Sequence, residues 1–124
     1  MDRPAWGRIR PVAYQVERAQ DGEIQILQLR GSVDALSASD LDKTLQAALA
    51  AAESRIVVDL SSVDFVSSAG FGSLLAAGRT SRRTGAKMIV CGVHGSAEEA
   101  IKVLGIAEFF TMAPDRASAL ALLR

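Results

Sequence analysis

The pattern of apolar and polar positions gives two first strand candidates, residues 14–17 and 23–30, with Asp21-Gly22 between them. An Asp-Gly pair between two runs of strand-forming residues is a strong signal for a β-hairpin. In the second run, apolar residues occupy both odd and even positions, so they would point to both sides of a strand. The pattern therefore predicts a hairpin whose second strand is partly covered on both faces.

Three later apolar runs have the length of strands rather than of helices. Residues 55–60 and 87–91 are short and apolar at consecutive positions, with β-branched residues among them. This pattern is typical of strands that are buried on both faces of a parallel sheet. Residues 109–112 form a third, shorter strand candidate.

Two longer segments show the helical spacing of apolar residues. The first begins at a capping box, Ser37–Asp40, and continues through an alanine run to Ala52. The second is capped at Ser67 or Ser68 and ends at Gly85, a residue that favours helix C-termini. Each helix follows a strand candidate after a short connecting segment.

Two more helices complete the pattern. One begins at a second capping box, residues 96–99, and runs to Gly105, and the other opens at Pro114-Asp115. The resulting order, β-β-α-β-α-β-α-β-α, predicts the α/β class, with a mixed sheet of about five strands and about four helices packed on it. Residues 12–124 would form one domain, and residues 1–11, with two prolines and a glycine between charges, an extended arm.

The composition is that of a single globular domain. The 124 residues are 49% hydrophobic and 23% charged, with 14 basic and 14 acidic side chains. This balance disfavours direct nucleic-acid binding, which relies on a basic excess to neutralise phosphates. One small basic cluster comprises Arg79, Arg82, Arg83 and Lys87. Two interpretations of it remain open: a solvated helix C-terminus, where cations suit the helix dipole, or a docking patch for an acidic partner.

Several kinds of site are disfavoured. A single cysteine, Cys91, excludes an intrachain disulfide, and with the single histidine, His94, it offers no metal cluster. The longest mostly apolar run, residues 69–78, is shorter than the ~20 residues that a bilayer requires. Residues 1–10 lack the apolar stretch of a signal peptide. We therefore expect a cytoplasmic protein without a membrane segment.

The glycine and serine residues do not complete a catalytic motif. Gly70 and Gly72 begin like a dinucleotide-binding loop, but Leu75 takes the place of the third glycine. Ser68 lacks the G-x-S-x-G elbow of hydrolases, since Val66 lies two residues before it. The only histidine falls in a polar loop, so no base is placed beside the serine. We expect no catalytic residue, no cofactor and no enzymatic activity.

The most informative stretch is residues 56–72, where a buried strand is followed by a short loop, two serines and a helix with small residues in its first turn. At such a position Ser67 or Ser68 would be an N-cap, whose hydroxyl accepts a hydrogen bond from a free backbone N–H. The glycines would let the helix start lie close to the sheet, or let another chain approach closely. On these grounds alone, a purely structural cap is the simpler interpretation.

This stretch resembles the signature of STAS domains, in which the phosphoacceptor lies in an Asp-Ser-Ser/Thr-Gly-Leu-Gly turn. Aligned on the two glycines, Ser68 matches the phosphoacceptor, with Ser67 as the alternative acceptor. Ser67 takes the place of the aspartate, and Ala69 that of the second hydroxyl residue. Asp34, in a segment that resembles the family's Gly-Glu-Leu-Asp, matches an aspartate that neighbours the phosphoacceptor. The partner-binding residues that the resemblance implies are Asp34, Ser67, Ser68, Ala69, Gly70, Phe71 and Gly72.

Two further segments support the resemblance. Residues 85–92 resemble the Gly-Gly-x-Leu-x-Leu strand that follows the switch helix in the family, and residues 104–110 resemble its Leu-Gly-hydrophobic…Phe closing element. The likeness extends from residue 14 to residue 124. It implies that the predicted α/β domain is a single STAS-type domain.

The resemblance is to the anti-sigma factor antagonists of the STAS family, and it implies a protein-binding switch. The unphosphorylated protein would bind an anti-sigma factor with serine kinase activity, phosphorylation at Ser68 would release it, and a serine phosphatase would reset it. The resemblance implies no nucleotide or metal in the chain itself, and we expect a monomer or weak dimer. Two settings without phosphorylation remain open: a STAS scaffold or regulatory subunit of a stress-signalling complex, or of a lipid-transport ATPase.

Overall fold

The computed structural model describes residues 13–51 and 53–124, so the predicted arm of residues 1–11 lies outside the described residues. Within this part of the chain one sheet contains the strands β1 (Gln15–Asp21), β2 (Ile24–Val33), β3 (Arg55–Val66), β4 (Lys87–Cys91) and β5 (Thr111–Ala113). The helices are α1 (Ala35–Ala48), α2 (Ser68–Thr84), α3 (Gly95–Leu104) and α4 (Arg116–Leu123), with a 3-10 turn at Ala107–Phe109. The predicted order of elements and the α/β class are confirmed.

The hairpin between β1 and β2 turns on two residues, Gly22 and Glu23. Asp21 and Ile24 pair directly, and Gly22 has a positive φ of 60° whereas Glu23 does not. A two-residue turn with glycine at its first position matches the right-handed twist of the flanking strands. The predicted hairpin is confirmed, and both of its strands are longer than predicted.

The strands follow one another across the sheet in chain order. β1 is antiparallel to β2, and β2 to β5 are parallel. A helix joins each parallel pair, and right-handed crossovers that step in one direction place α1, α2 and α3 on the same face. α4 follows β5 and packs on the opposite face. The domain therefore has three layers, with the sheet between three helices and one.

Burial on both faces explains the continuous apolar runs of β3 and β4. Complete burial of a Val, Leu or Ile side chain contributes roughly 1.5–3 kcal/mol, so these strands anchor the fold. The larger core, under α1 to α3, includes Leu27, Leu29, Leu41, Leu45, Ile56, Val58, Phe71, Leu74, Val90 and Ile101. The smaller core, under α4, includes Ile24, Ile26, Val57, Ile89, Cys91, Ala119 and Leu123.

Ion pairs hold α4 at both ends. Asp59 on β3 is only 5% exposed. Its carboxylate accepts hydrogen bonds from the backbone N–H of Ser61 at 2.9 Å and from Nε of Arg116 at 3.1 Å. Arg124, which follows α4, contacts Asp21 at the hairpin. The two pairs therefore tie the start of α4 to β3 and the residue that follows α4 to the hairpin.

The capping box that was predicted at Ser37–Asp40 is wrong. α1 begins three residues earlier, where the carboxylate of Asp34 accepts from the backbone N–H of Ser37 at 2.8 Å and Ser37 Oγ accepts from the N–H of Asp34 at 2.9 Å. The chain enters the helix directly from β2, which leaves no loop before it. At its other end α1 stops at Ala48 rather than at Ala52, because Leu49 leaves the helical conformation as the C-cap. Ala52 itself lies outside the described residues.

The second predicted capping box, at residues 96–99, is also wrong. α3 begins at Gly95, and His94 occupies the N-cap without a side-chain hydrogen bond to the helix. Ser96 instead donates to the carbonyl oxygen of Asp64 at 3.3 Å. The helix does end at Gly105, whose φ of 65° is left-handed, as predicted.

Two strand boundaries differ from the prediction. β3 continues beyond Leu60 to Val66, because residues 62–66 pair with the end of β2 despite two irregularities in the register. β5 is Thr111–Ala113 instead of residues 109–112, because a 3-10 turn occupies Ala107–Phe109. The longer β3 brings its end beside the end of β2.

Candidate functional site

Two helices begin side by side where β2 and β3 end. Val33 and Val66 are the paired last residues of these strands, and the residues that follow them, Asp34 and Ser67, cap α1 and α2. The backbone N–H of Ser67 donates to the carbonyl oxygen of Val33 at 2.8 Å. This bond holds the two helix N-termini together, and we call this region the switch corner.

The two adjacent serines of the switch corner have different environments. Ser67 is half-buried, and its Oγ accepts a hydrogen bond from the backbone N–H of Gly70 at 3.1 Å. Ser68 is the first residue of α2 and is exposed. The predicted second helix is confirmed, with Ser67 as its N-cap and Gly85, at a left-handed φ of 81°, as its C-cap.

Gly70 is the point at which α2 approaches the strand ends most closely. A Cβ atom there would lie 2.8 Å from Cγ1 of both Val33 and Val66, a distance that real Cβ contacts essentially never show. The expectation that glycine lets the helix start lie close to the sheet is therefore confirmed at this position. Gly72 differs, because it is exposed and its Cβ would meet no atom within 4 Å.

Phe71 belongs to the core rather than to the surface. Its side chain is only 4% exposed and packs in the larger core. The resemblance placed it in the partner-binding set, but a buried ring cannot reach a partner, so Phe71 is a packing residue that supports α2 from beneath. The members of the predicted set that are exposed are Asp34, Ser68, Ala69 and Gly72.

Asp34 brings a negative charge to the switch corner. Hydrogen bonds from the backbone N–H of Ser37 and from its hydroxyl, at 2.8 and 2.9 Å, hold the pKa of the Asp34 carboxyl below its ordinary value. The exposed carboxylate is therefore ionised at neutral pH, at the positive end of α1. A phosphate on Ser68 would be a second anion at the switch corner, on the other side of the Val33–Ser67 hydrogen bond from the Asp34 carboxylate.

Two exposed apolar side chains border the switch corner and were missed by the sequence analysis. Leu36, in the first turn of α1, is 87% exposed, and Phe65, the penultimate residue of β3, is 48% exposed. A signal exists for each of them. Leu36 is out of phase with Leu41 on the inner stripe of α1, and Phe65 alternates with the buried Val66. Large apolar side chains that remain exposed beside polar groups are typical of protein-binding surfaces.

The other chemistry-bearing residues belong to different parts of the fold. Cys91 is buried, and its burial, followed by the charge of Asp59, raises the pKa of the thiol to about 12. His94 is exposed, and its Nε2 lies 3.0 Å from the carbonyl oxygen of Ser61. Among the described residues, no three or more His, Cys, Asp or Glu side chains are grouped to hold a metal ion. No helix within the described ranges has the length and apolar character to cross a bilayer.

Comparison with known proteins assigns the family. The family model of the STAS domain matches residues 15–119, and the chain therefore belongs to the STAS domain family. The candidate anti-sigma factor antagonist BtrV of Bordetella bronchiseptica is 29% identical over 93 residues, which cover 75% of this chain and 80% of BtrV. The resemblance found in the sequence is thus confirmed at the level of the family.

Solved structures share the fold at low sequence identity. An anti-sigma factor antagonist from Mycobacterium paratuberculosis matches with a TM-score of 0.74 at 24% identity, over 90% of this chain and 95% of that chain. The Bacillus cell fate determinant SpoIIAA, in its phosphorylated form, matches with a TM-score of 0.67 at 18% identity, over 90% of this chain and 100% of that chain. These matches establish the STAS architecture over most of the chain.

Proposed function

We propose that this protein is a cytoplasmic anti-sigma factor antagonist whose binding is controlled by phosphorylation. In the unmodified state the switch corner binds an anti-sigma factor with serine kinase activity. Phosphorylation of Ser68 releases that partner, and a serine phosphatase restores the binding form. Membership of the STAS family and the similarity to BtrV support the antagonist function. The observation that carries the switch is the exposure of Ser68 at the first residue of α2.

Ser68 is the better acceptor of the two adjacent serines. The hydroxyl of Ser67 is engaged with the N–H of Gly70, and loss of such a cap costs about 0.5–2 kcal/mol of helix stability. Ser68 stands outside that hydrogen bond and is exposed. A kinase can therefore reach its hydroxyl without disturbing the cap of α2.

A phosphate on Ser68 changes the surface rather than the fold. It adds a charge of about −1.5 to −2 near neutral pH. At the N-terminus of α2 this charge faces free backbone N–H groups and the positive end of the helix dipole, so the helix tolerates it. A partner whose surface fits the unmodified switch corner then meets two negative charges, the phosphate on Ser68 and the carboxylate of Asp34. Repulsion and desolvation at the interface drive the release.

The proposed contact surface draws on the starts of both helices. Asp34 supplies a hydrogen-bond acceptor, and Ala69 and Gly72 leave α2 open to close approach. Leu36 and Phe65 supply apolar anchors, and burying the exposed part of each would contribute roughly 1–2 kcal/mol to binding. Gly70 and Phe71 act from beneath by fixing the position of the helix start.

The test uses wild type, Ser68→Ala, Ser68→Asp and Ser67→Ala as baits in native lysate, with bound chains identified by mass spectrometry. We expect an anti-sigma factor of the ATP-dependent kinase type to bind wild type and Ser68→Ala and to be lost from Ser68→Asp. The recovered partner with ATP should add one phosphate to wild type and Ser67→Ala but none to Ser68→Ala. Amide spectra of Ser68→Asp serve as the control for an intact fold.

A different pattern of bound partners would refute the phosphorylation switch. If wild type and Ser68→Asp retained the same partners with equal affinity, the phosphorylation switch would be refuted. Transporter or scaffold subunits among those partners would favour a permanent STAS subunit. That second candidate is favoured by the serine and alanine at positions 67 and 69, where the STAS signature has an aspartate and a second hydroxyl residue.

A further inference from the structure

A groove with an apolar floor lies at the end of α2 that is remote from Ser68. Its volume is about 310 Å³, and it is bounded by the C-terminal half of α2, the start of β4, the segment before β5 and the end of α4. Phe109 and Leu122 line it and are 43% and 60% exposed, so the groove presents apolar surface to water. The other apolar side chains of this α2–β4 groove are those of Ala86, Met88, Ile89, Phe110 and Leu123.

Basic side chains form the rim of the α2–β4 groove. Arg82 and Lys87 line it directly, and Arg79 and Arg83 lie within one helical turn of Arg82. All four are exposed. The ion pairs among the described residues involve other cations, namely Arg30, Lys102, Arg116 and Arg124. In a chain with equal numbers of acidic and basic residues, the rim is therefore a local excess of positive charge.

Close packing fixes the wall of the groove. A Cβ on Gly78 would lie 3.1 Å from the carbonyl oxygen of Phe109, so α2 rests directly on the 3-10 turn. Arg82 donates to the neighbouring carbonyl oxygen of Glu108 at 3.1 Å, which holds its guanidinium at the rim. The groove is thus formed before any partner arrives, and binding needs little ordering of the chain.

We propose that the α2–β4 groove is a second docking site, which receives an acidic amphipathic segment of a partner protein. Apolar side chains of that segment would cover Phe109 and Leu122, while its carboxylates would meet Arg82 and Lys87. Charge complementarity selects this occupant, because an anionic segment neutralises the basic rim as its apolar face leaves water. The groove lies about 20 Å along α2 from Ser68. The proposal is independent of the function proposed for the switch corner.

The probe for this proposal is a fluorescein-labelled peptide of about four helical turns, with leucines on one face and glutamates on the other. One control peptide replaces the glutamates by lysines, and another replaces the leucines by serines. Fluorescence anisotropy gives the affinities, and amide chemical shifts locate the site. We expect the acidic peptide to bind at least about tenfold more tightly than either control, since each lacks one half of the complementarity. The shifts should fall on residues 78–89, 109–111 and 122–123.

Single substitutions separate the groove from the rest of the surface. Lys87→Glu should lower the affinity for the acidic peptide by about tenfold. Arg18→Glu makes an equal charge change on β1, at the opposite edge of the sheet, and should leave that affinity within about twofold of the wild-type value. Leu122→Ser should also weaken binding, and Val103→Ser, at a side chain that is 83% exposed and outside the groove, should not. Ser68→Asp should bind the peptide as wild type does.

Four results would overturn the proposal. They are the absence of saturable binding, equal binding of the lysine peptide, amide shifts centred on the switch corner, and insensitivity to Lys87→Glu. Binding of anionic phosphatidylserine vesicles without binding of the peptide would assign the groove to a lipid surface instead. A concentration-dependent dimer that Leu122→Ser abolishes, again without peptide binding, would assign it to a second copy of the chain.

Discussion

Alanine substitutions at Gly70 and Gly72 test the close packing of α2 against the strand ends. Both residues lie near the start of the same helix, and neither has a positive φ. Alanine is favoured over glycine in a helix interior by about 1 kcal/mol, so on propensity alone both changes would stabilise the protein. The two positions differ in the space available to the added methyl group.

At Gly70 the new Cβ would meet Val33 and Val66 at 2.8 Å. Both valines are buried and stiff at χ1, so neither methyl group can yield without disturbing the core. Overpacking of this kind costs about 1–3 kcal/mol and exceeds the gain in propensity. We expect Gly70→Ala to lower the free energy of unfolding by up to about 2 kcal/mol, the overpacking cost less the gain in propensity. At Gly72 an added Cβ would meet no atom within 4 Å, so Gly72→Ala should raise the free energy of unfolding by about 0.5–1 kcal/mol.

Urea unfolding followed by circular dichroism measures both variants against wild type. The opposite signs make the comparison internally controlled, and an unchanged dependence on urea would show that the denatured states are equivalent. A Gly70→Ala protein as stable as wild type would refute the reasoning, because the strand ends would then have room for a side chain. A destabilised Gly72→Ala protein would refute the contrast between the two positions.

Two further predictions concern the smaller core. Arg116→Ala should lower the free energy of unfolding by about 2–4 kcal/mol, because it leaves the buried carboxylate of Asp59 without its cation. Arg124→Ala breaks the exposed pair with Asp21 and should lower the free energy of unfolding by less than about 1 kcal/mol. Equal losses of stability for the two variants in urea unfolding would contradict this prediction. The pKa of the Cys91 thiol is raised from 9.0 to about 12, so the unfolded chain loses this proton first, and stability should fall relative to Cys91→Ala as the pH rises from about 9 to about 12. A constant difference between the two proteins over that interval, measured by urea unfolding, would contradict the burial of the thiol.

Local sequence signals were sufficient to predict the bounds of α2 and the order of the helices and strands. A serine cap, a helical stripe and a C-terminal glycine bound α2 within its own sequence, and the structure places them at Ser67 and Gly85. The alternation of short apolar runs with helices predicts a parallel sheet, and the preference for right-handed crossovers then limits the arrangement of the helices. These features depend on neighbours in the chain, which a sequence displays directly.

Other boundaries depend on pairing between distant segments. Asp34 and Ser37, like Ser37 and Asp40, are polar residues three positions apart, and the choice between the two boxes depends on where β2 ends. Residues 61–66 include two serines and an aspartate, which favour turns, yet their pairing with β2 extends β3 to Val66. Tertiary context overrides strand propensity in such cases.

The candidate site was only partly accessible from the sequence. The motif match selected Ser68 as the candidate phosphoacceptor and included Phe71 in the partner-binding set, although helical spacing with Leu74 indicated the inner face of α2 for Phe71. Periodicity indicates that Leu36 and Phe65 point away from the core, but their position beside the switch corner depends on the way α1 and β3 meet their neighbours. The pairing of Asp59 with Arg116 joins residues 57 positions apart, and no local pattern predicts it.

The position of α4 has a consequence for the synthesis of the protein. This helix comes after the five described strands in the chain, and within residues 13–51 and 53–124 it is the helix that covers the apolar face formed by Ile24, Ile26, Val57 and Ile89. On the ribosome, that face stays open to water until residues 116–123 have emerged. A chain that stops before Arg116 leaves the apolar strip exposed, and such surfaces promote aggregation. Burial of this face therefore waits for the synthesis of α4, and a chain that stops before this helix has an aggregation-prone surface rather than a smaller stable domain.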